Sequence, residues 1–481
     1  MIVRRVLVAA AAGIPALLYL LYVVHYSIDV PIADDWGVIP LASHAVHHQV
    51  TLGELWSQYG DTRLFVGGLL FAAFGMFDHL NEAHIVVFSA EILIATFVLL
   101  LFLFRAYLRR PLTFLSVFAL GVVWFSVADV QNALWSFQLA WYVVVFFFVA
   151  MAYVLLIRRE RPNLFLALGI VAAVLASLTE VQGFAVWAVG LICLVWVSPW
   201  ARRTYYESAI WISAALLTVA MYAHRFDFGA AKNICVVEGG PQASCSPTFG
   251  LLHPVQLAKF WTVLVGNVVP TLPGQQIVAH QLLGTAILVV AVFVVVQSIR
   301  ERRTQTGPLP VLLIVFAVQF DLMIALSRLG QGIVSAGRNS YTMPNVILLA
   351  GIVIYASARV PKRPVMHGWT GGSDRRTIVP VITLSAFLVV QFVVATQFGI
   401  TNGRIHQARA ANIARVVVNL EAIPGNRRAC YFHSVVAGPR LRKLNEARRL
   451  AKRNRLSLFQ RSSETRYLAE GPPRVAHCDS R

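Results

Sequence analysis

Long apolar runs separated by short polar breaks dominate the chain, at 6–24, 84–104, 112–128, 138–157, 164–178, 183–197, 208–223, 282–296, 309–326, 343–358 and 378–396. Most approach the ~20 residues that a helix needs to cross the hydrocarbon of a bilayer. The pattern predicts about eleven membrane-spanning helices. Leu64 to Phe77 is also apolar, but its 14 residues, interrupted by Gly67, Gly68 and Gly75, are too short to cross, so an interfacial or re-entrant helix is expected there. The first run follows Arg4 and Arg5 and holds 19 apolar residues with no small-x-small cleavage site after it. It exceeds the usual signal-peptide core of roughly 7–15 residues and reads as a retained anchor. Residues 361–376, with two prolines and three glycines, read as a loose linker.

Composition agrees with this pattern: 58% of residues are hydrophobic and 13% charged, about half the charge of a soluble globule. The expected fold is an all-α integral membrane bundle, with residues 1–398 as the membrane module and 399–481 as a small extracytoplasmic C-terminal region. No internal repeat is evident. Orientation follows from Lys and Arg, which stay cytoplasmic in short loops. Alternate connections carry Arg4/Arg5, Arg105/Arg109/Arg110, Arg158/Arg159/Arg161, Arg202/Arg203, Arg300/Arg302/Arg303 and Arg359/Lys362/Arg363/Arg375/Arg376, 18 in all. The opposite connections hold Arg63, Arg225, Lys232, Lys259, Arg328 and Arg338. The N-terminus is therefore expected inside, and the segments 27–83, 225–281, 327–341 and 399–481 outside.

Cysteine placement fits that topology. Cys193 lies within a span, whereas Cys235 and Cys245 share one outer loop and Cys430 and Cys478 share the tail. Two disulfides, Cys235–Cys245 and Cys430–Cys478, are expected on the oxidising side. The net charge of +19 is concentrated in residues 399–481, which hold 17 Lys and Arg against 5 Asp and Glu. Within it, residues 440–453 place apolar positions 441, 444, 447, 450 and 451 on one helical stripe. Such a basic amphipathic helix suits either the solvated face of a small domain or anionic headgroups. On the outer side of a membrane, nucleic acid is not an expected partner.

Chemistry is sought among the polar residues at the outer ends of the spans. They are Asp34 and Asp35, Asp61 with Arg63, Glu82 and His84, Asp129 with Gln131 and Asn132, Gln138, Glu180 with Gln182, and Arg328, Arg338 and Tyr341. Clustered acids are costly near lipid unless a cavity needs them. Asp321 and Glu91, inside spans, are expected to hydrogen-bond between helices. His44, His47 and His48 read as surface histidines rather than metal ligands.

Taken together, Ile32-Ala33-Asp34-Asp35-Trp36, Thr62-Arg63-Leu64-Phe65, Ala133-Leu134-Trp135-Ser136-Phe137-Gln138 and Glu180-Val181-Gln182-Gly183 resemble the layout of the GT-C superfamily of membrane glycosyltransferases. The resemblance spans roughly residues 1–400, and the tail matches nothing in it. It implies a GT-C-like bundle in a bacterial inner membrane, transferring a sugar from a polyprenyl-phosphate-linked donor to a lipid, glycan or protein acceptor. By position, Asp34 or Asp35 is the base, and the pattern does not choose between them. A cation at Arg338, Arg328 or Arg63 is expected to hold the donor phosphate. Asp61, Glu180, Gln138, Trp135 and Tyr341 complete the substrate-binding set. Metal use varies in such enzymes, so no cofactor is certain and a divalent cation is left open. Two other readings are carried: a transporter or lipid-glycan flippase, and a non-catalytic subunit of cell-envelope assembly.

Overall fold

The computed structural model of the protein describes residues 2–109, 111–157, 161–197, 201–230, 245, 248–271, 277–301, 307–359, 375–435, 441–473, 475 and 478. The chain starts with α1 (Ile2–Tyr26). The next segment folds into α2 (Asp35–Val46), α3 (Leu52–Trp56), a two-stranded hairpin of β1 (Gln58–Tyr59) and β2 (Thr62–Arg63), and α4 (Phe65–Asp78). There follow α5 (Glu82–Leu108), α6 (Phe114–Trp124), α7 (Val130–Leu134), α8 (Leu139–Ile157), α9 (Pro162–Thr179), α10 (Ala185–Val197) and α11 (Arg202–Ala223). The second half comprises α12 (Phe249–Leu252), α13 (Pro254–Gly266), α14 (Ile277–Arg300), α15 (Leu309–Arg328), α16 (Met343–Arg359) and α17 (Arg375–Val418). Three tail helices close it, α18 (Gly425–Val435), α19 (Leu441–Asn454) and α20 (Arg461–Glu470).

Among the described residues, nine helices are long and apolar enough to cross a membrane: α1, α5, α8, α9, α11, α14, α15, α16 and α17. The chain is an all-helical, multi-pass bundle. The other two apolar runs give shorter helices. The run 112–128 yields only the 11 residues of α6, a rise of about 16 Å, because polar Ser126 and Asp129 interrupt it. The run 183–197 becomes a 3₁₀ turn followed by the 13 residues of α10. The expected interfacial helix at 64–77 is α4, shifted by one residue. The linker expected at 361–376 lies outside the described residues up to 374.

Helix ends follow local chemistry. Thr51 and Glu54 cap α3 reciprocally, Thr113 and Ser116 do the same for α6, and Asn81 accepts the His84 N–H at the start of α5. Pro162 and Pro254 take first-turn positions, where a missing N–H costs nothing. Between helices, small residues permit close crossing. A Cβ on Gly284 of α14 would lie 1.8 Å from the Thr262 carbonyl oxygen of α13, the backbone approach that membrane helices use in place of a hydrophobic drive.

Two apolar clusters organise the molecule. The larger runs through the spans and includes the stacked Phe148–Phe316 pair, with centroids 4.0 Å apart. The smaller joins α2, through Trp36 and Ile39, to Phe71 of α4, to residues 410–418 of α17 with Leu420 and Ile423 just beyond it, and to Leu444, Ala447, Leu456, Leu458 and Phe459 of the tail. The expected domain boundary at 398/399 falls inside the continuous α17. A Cys430–Cys478 disulfide ties the tail. Cys245 is buried and disulfide-bonded, while Cys235, its expected partner, lies outside the described residues.

Candidate functional site

The acidic pair sits where the chain turns into α2, and its two members have different surroundings. Ala33 bends the backbone with φ 50°, a left-handed conformation that costs roughly 1–2 kcal/mol for a residue with a Cβ. Asp35 holds that bend. Its Oδ2 accepts the Ile32 N–H at 2.8 Å and its Oδ1 accepts the Ser136 hydroxyl at 2.7 Å. Trp135 adds an indole N–H to the Ile32 carbonyl at 3.1 Å. Asp35 is 1% exposed, whereas Asp34, at the N-cap of α2, faces solvent. Burial pushes the Asp35 carboxyl up to about 7, against the hydrogen bonds that lower it.

Glu82, the first residue of α5, lies beside Asp35, Asp29 and Ser136. It is 2% exposed, and its carboxyl oxygens accept no hydrogen bond among the described residues. Asp29 accepts the Glu82 N–H and the Ser457 hydroxyl. Burial pushes its carboxyl up to about 6.

The hairpin links this pair to a second polar group. Tyr59 donates its hydroxyl to the Asp34 carbonyl at 2.8 Å, and its ring packs on Phe137. The contact depends on Gly37, since a Cβ there would lie 1.9 Å from the Tyr59 hydroxyl oxygen. At the turn of the hairpin, Asp61 pairs with Arg328, the last residue of α15, at 3.3 Å. Thr62 accepts the Val181 N–H and shares a hydrogen bond with Tyr222. Glu180, between α9 and the following turn, is buried in this group. Desolvation, with Asp61 adding repulsion, pushes it up to about 8 despite the lowering influence of Thr62, Val181 and Arg328.

In the connection from α15 to α16, Arg338 lies in extended backbone between two 3₁₀ turns and Tyr341 ends the second of them. Ser340 fastens that connection to the α7 segment, donating its N–H to Gln131 and accepting from Asn132. The Arg338 carbonyl accepts from Asn267, and Tyr341 stacks on Trp141. Gln138 is buried, with its side-chain oxygen lacking a partner among the described residues. Deeper, Asp129, Ser126, Tyr19 and Tyr142 line a cavity of about 20 Å³, room for roughly one water.

The structure therefore joins Asp35 to Trp135 and Ser136, and Asp61 to Arg328 and Glu180, with Asp34 bridged to the second group by the hairpin. Arg63, expected on a phosphate, serves another purpose. Its Nε, Nη1 and Nη2 donate to the carbonyls of Tyr222, Trp56 and His224, and its guanidinium packs on Trp56 and Phe226. It is 3% exposed and fastens the hairpin to α11. Other expectations also change. Asp321 is buried with both oxygens unpartnered among the described residues, and Glu91 faces outward. His44 is half-buried and pairs with Glu54, while His47 and His48 are exposed. Sequence reasoning gave no role to Tyr59, Gly37 or Ser136. For Ser136 the signal was its place inside the Trp135–Gln138 motif. Tyr59 and Gly37, 22 positions apart, carried none. The described residues contain no group of three or more His, Cys, Asp or Glu arranged to hold a metal ion.

Fold and site define an all-helical multi-pass membrane protein with a buried and an exposed carboxylate at one end of its bundle. No family model, no curated protein and no solved structure matches the chain.

Proposed function

We propose that this protein is a membrane glycosyltransferase of GT-C type, moving a sugar from a polyprenyl-phosphate-linked donor to an acceptor at the outer face of a bacterial inner membrane. The observation that carries the reading is the division of labour within the acidic pair, coupled through the 58–63 hairpin to the Asp61–Arg328–Glu180 group. In this mechanism the acceptor hydroxyl attacks the anomeric carbon, the bond from that carbon to the phosphate oxygen breaks, and its electron pair leaves with the phosphate. The hydroxyl proton passes to a carboxylate, with inversion at the anomeric centre. Exposure favours Asp34 as that base, because a base has to touch the acceptor. Asp35 is the positioning residue, held by Ile32 and Ser136.

A phosphate leaving group needs a cation and tolerates few negative neighbours. Arg328 is the candidate, exchanging its contact with Asp61 for a bidentate contact to phosphate, with Arg338 on the same connection. Glu180, pushed up to about 8, is largely protonated at neutral pH and adds little repulsion. The protein in neutral-lipid nanodiscs, supplied with polyprenyl-phosphate-linked sugars, is expected to transfer sugar, and Asp34→Asn to slow transfer by roughly 10²–10⁴-fold. Undiminished transfer by the Asp34→Ala, Asp35→Ala double variant would sink the mechanism. A transport reading draws on Asp321, a buried mid-span carboxyl unpartnered among the described residues. It requires sugar-lipid translocation without transfer, abolished by Asp321→Asn.

A further inference from the structure

The tail turns its apolar stripe inward and its cations outward. In α19, Leu444, Ala447 and Ala451 are buried against α2 and α17, so the stripe that suited a membrane surface is already occupied. Three cations of this region are also spent internally: Arg448 donates to the Val417 carbonyl and pairs with Glu421, Lys452 pairs with Glu464 of α20, and Arg466 pairs with Glu470. The Lys452–Glu464 pair brings α20 alongside α19. Lys443, Arg449, Arg453, Arg455 and Arg461 are left exposed, with no ion pair among the described residues. Arg449 and Arg453 share one helix face at i, i+4.

This surface is charged without being apolar. Among residues 443–470, Leu468 is the one large apolar side chain that stays exposed, a single residue rather than the continuous apolar face of an interfacial helix. Its position also points away from lipid. On α2, Ala42 meets Gly75 of α4, whose exposed Leu69, Met76 and Phe77 suit the membrane side. Asn454 of α19 meets Ser43 and His47, about 100–140° around the same helix. From Ser43 to Asp35 along α2 is a rise of about 12 Å, within reach of an extended polymer held on the arginines.

We infer that the α19–α20 face is a docking surface for a phosphate-bearing polyanionic glycan chain, read by Arg449, Arg453, Arg455 and Arg461. It depends on the transferase reading only in calling that polymer the acceptor; the binding itself does not.

The test uses the full chain in phosphatidylcholine nanodiscs, with fluorescein-labelled inorganic polyphosphate as probe and neutral dextran as control, followed by anisotropy across a salt series. Wild type is expected to bind polyphosphate and not dextran. The Arg449→Glu, Arg453→Glu, Arg461→Glu variant is expected to lose about 100-fold, roughly fivefold or more per cation, and its slope of log K against log salt to fall by about 2. The corresponding Gln variant guards against misfolding, and both should retain the Cys430–Cys478 bridge. Unchanged affinity and slope in both variants overturn the proposal. So does protection of Lys443 and Lys452 from amine labelling by phosphatidylglycerol discs but not by polyphosphate, which assigns the surface to headgroups. Polyphosphate binding without any sugar transfer upholds the surface and counts against the transferase reading alone.

Discussion

Replacing Asp35 with Asn should make the protein's stability rise, relative to wild type, as pH increases. The Asp35 carboxyl is 1% exposed, and burial, reinforced by Asp34 nearby, raises it from an ordinary 3.8 to about 7. Between those values the folded protein holds a proton that the unfolded chain has released. Stability therefore falls as pH rises through that window and levels off above about 7. A gap of roughly three pKa units corresponds to about 4 kcal/mol. Asn carries no such dependence, although it offers one acceptor oxygen where Asp35 uses two, for the Ile32 N–H and the Ser136 hydroxyl, at a cost of about 1–3 kcal/mol at any pH. Asp35→Asn should thus be less stable than wild type near pH 4 and more stable near pH 8. Asp29 and Glu180 titrate in both proteins and cancel from the difference, while removal of the Asp35 charge also relieves its repulsion on Glu82, which acts in the same direction. At roughly 2.1 cal/mol/K per residue over 481 residues, melting in detergent should shift by about 4 °C between the two ends of the range. A difference that stays flat with pH, or runs in the opposite direction, refutes the assignment of a buried, proton-holding Asp35.

Tyr59→Phe removes the hydroxyl that reaches the Asp34 carbonyl while keeping the ring on Phe137. It should cost about 1 kcal/mol in stability and slow sugar transfer by more than that loss explains. Gly37→Ala drives a Cβ into the Tyr59 hydroxyl, so it should cost about 1–3 kcal/mol, with Tyr59→Ala in the same chain restoring much of it; an additive double variant contradicts the contact. Cys430→Ser opens a loop of 48 residues, worth about 4 kcal/mol on a chain-entropy account. Limited proteolysis should then cut within 425–478 well before the spans.

Hydropathy alone determined that this is an all-helical, multi-pass membrane protein, because apolar runs of crossing length have one stable answer in lipid. All eleven runs became helices, and the two that fell short did so where Ser126–Asp129 and Glu180–Gly183 bring polar groups and a 3₁₀ turn. The Cys430–Cys478 pair was legible because both cysteines lie in the one polar tail. Partnership at the candidate site was not legible. Asp34 and Asp35 are adjacent and chemically identical in sequence, and only Ile32, Ser136 and the packing around α2 make one buried and the other exposed. Arg63 and Arg328 read alike as cations at span ends. Yet Arg63 donates from all three guanidinium nitrogens to carbonyls of α3, α11 and the residue after α11, and Arg328 faces Asp61. The amphipathic stripe at 441–451 was visible, but what it covers was not. Periodicity specifies that a face will be buried, whereas the identity of the burying surface depends on contacts such as α2 to α19, some 400 residues apart, that exist only once the bundle has assembled.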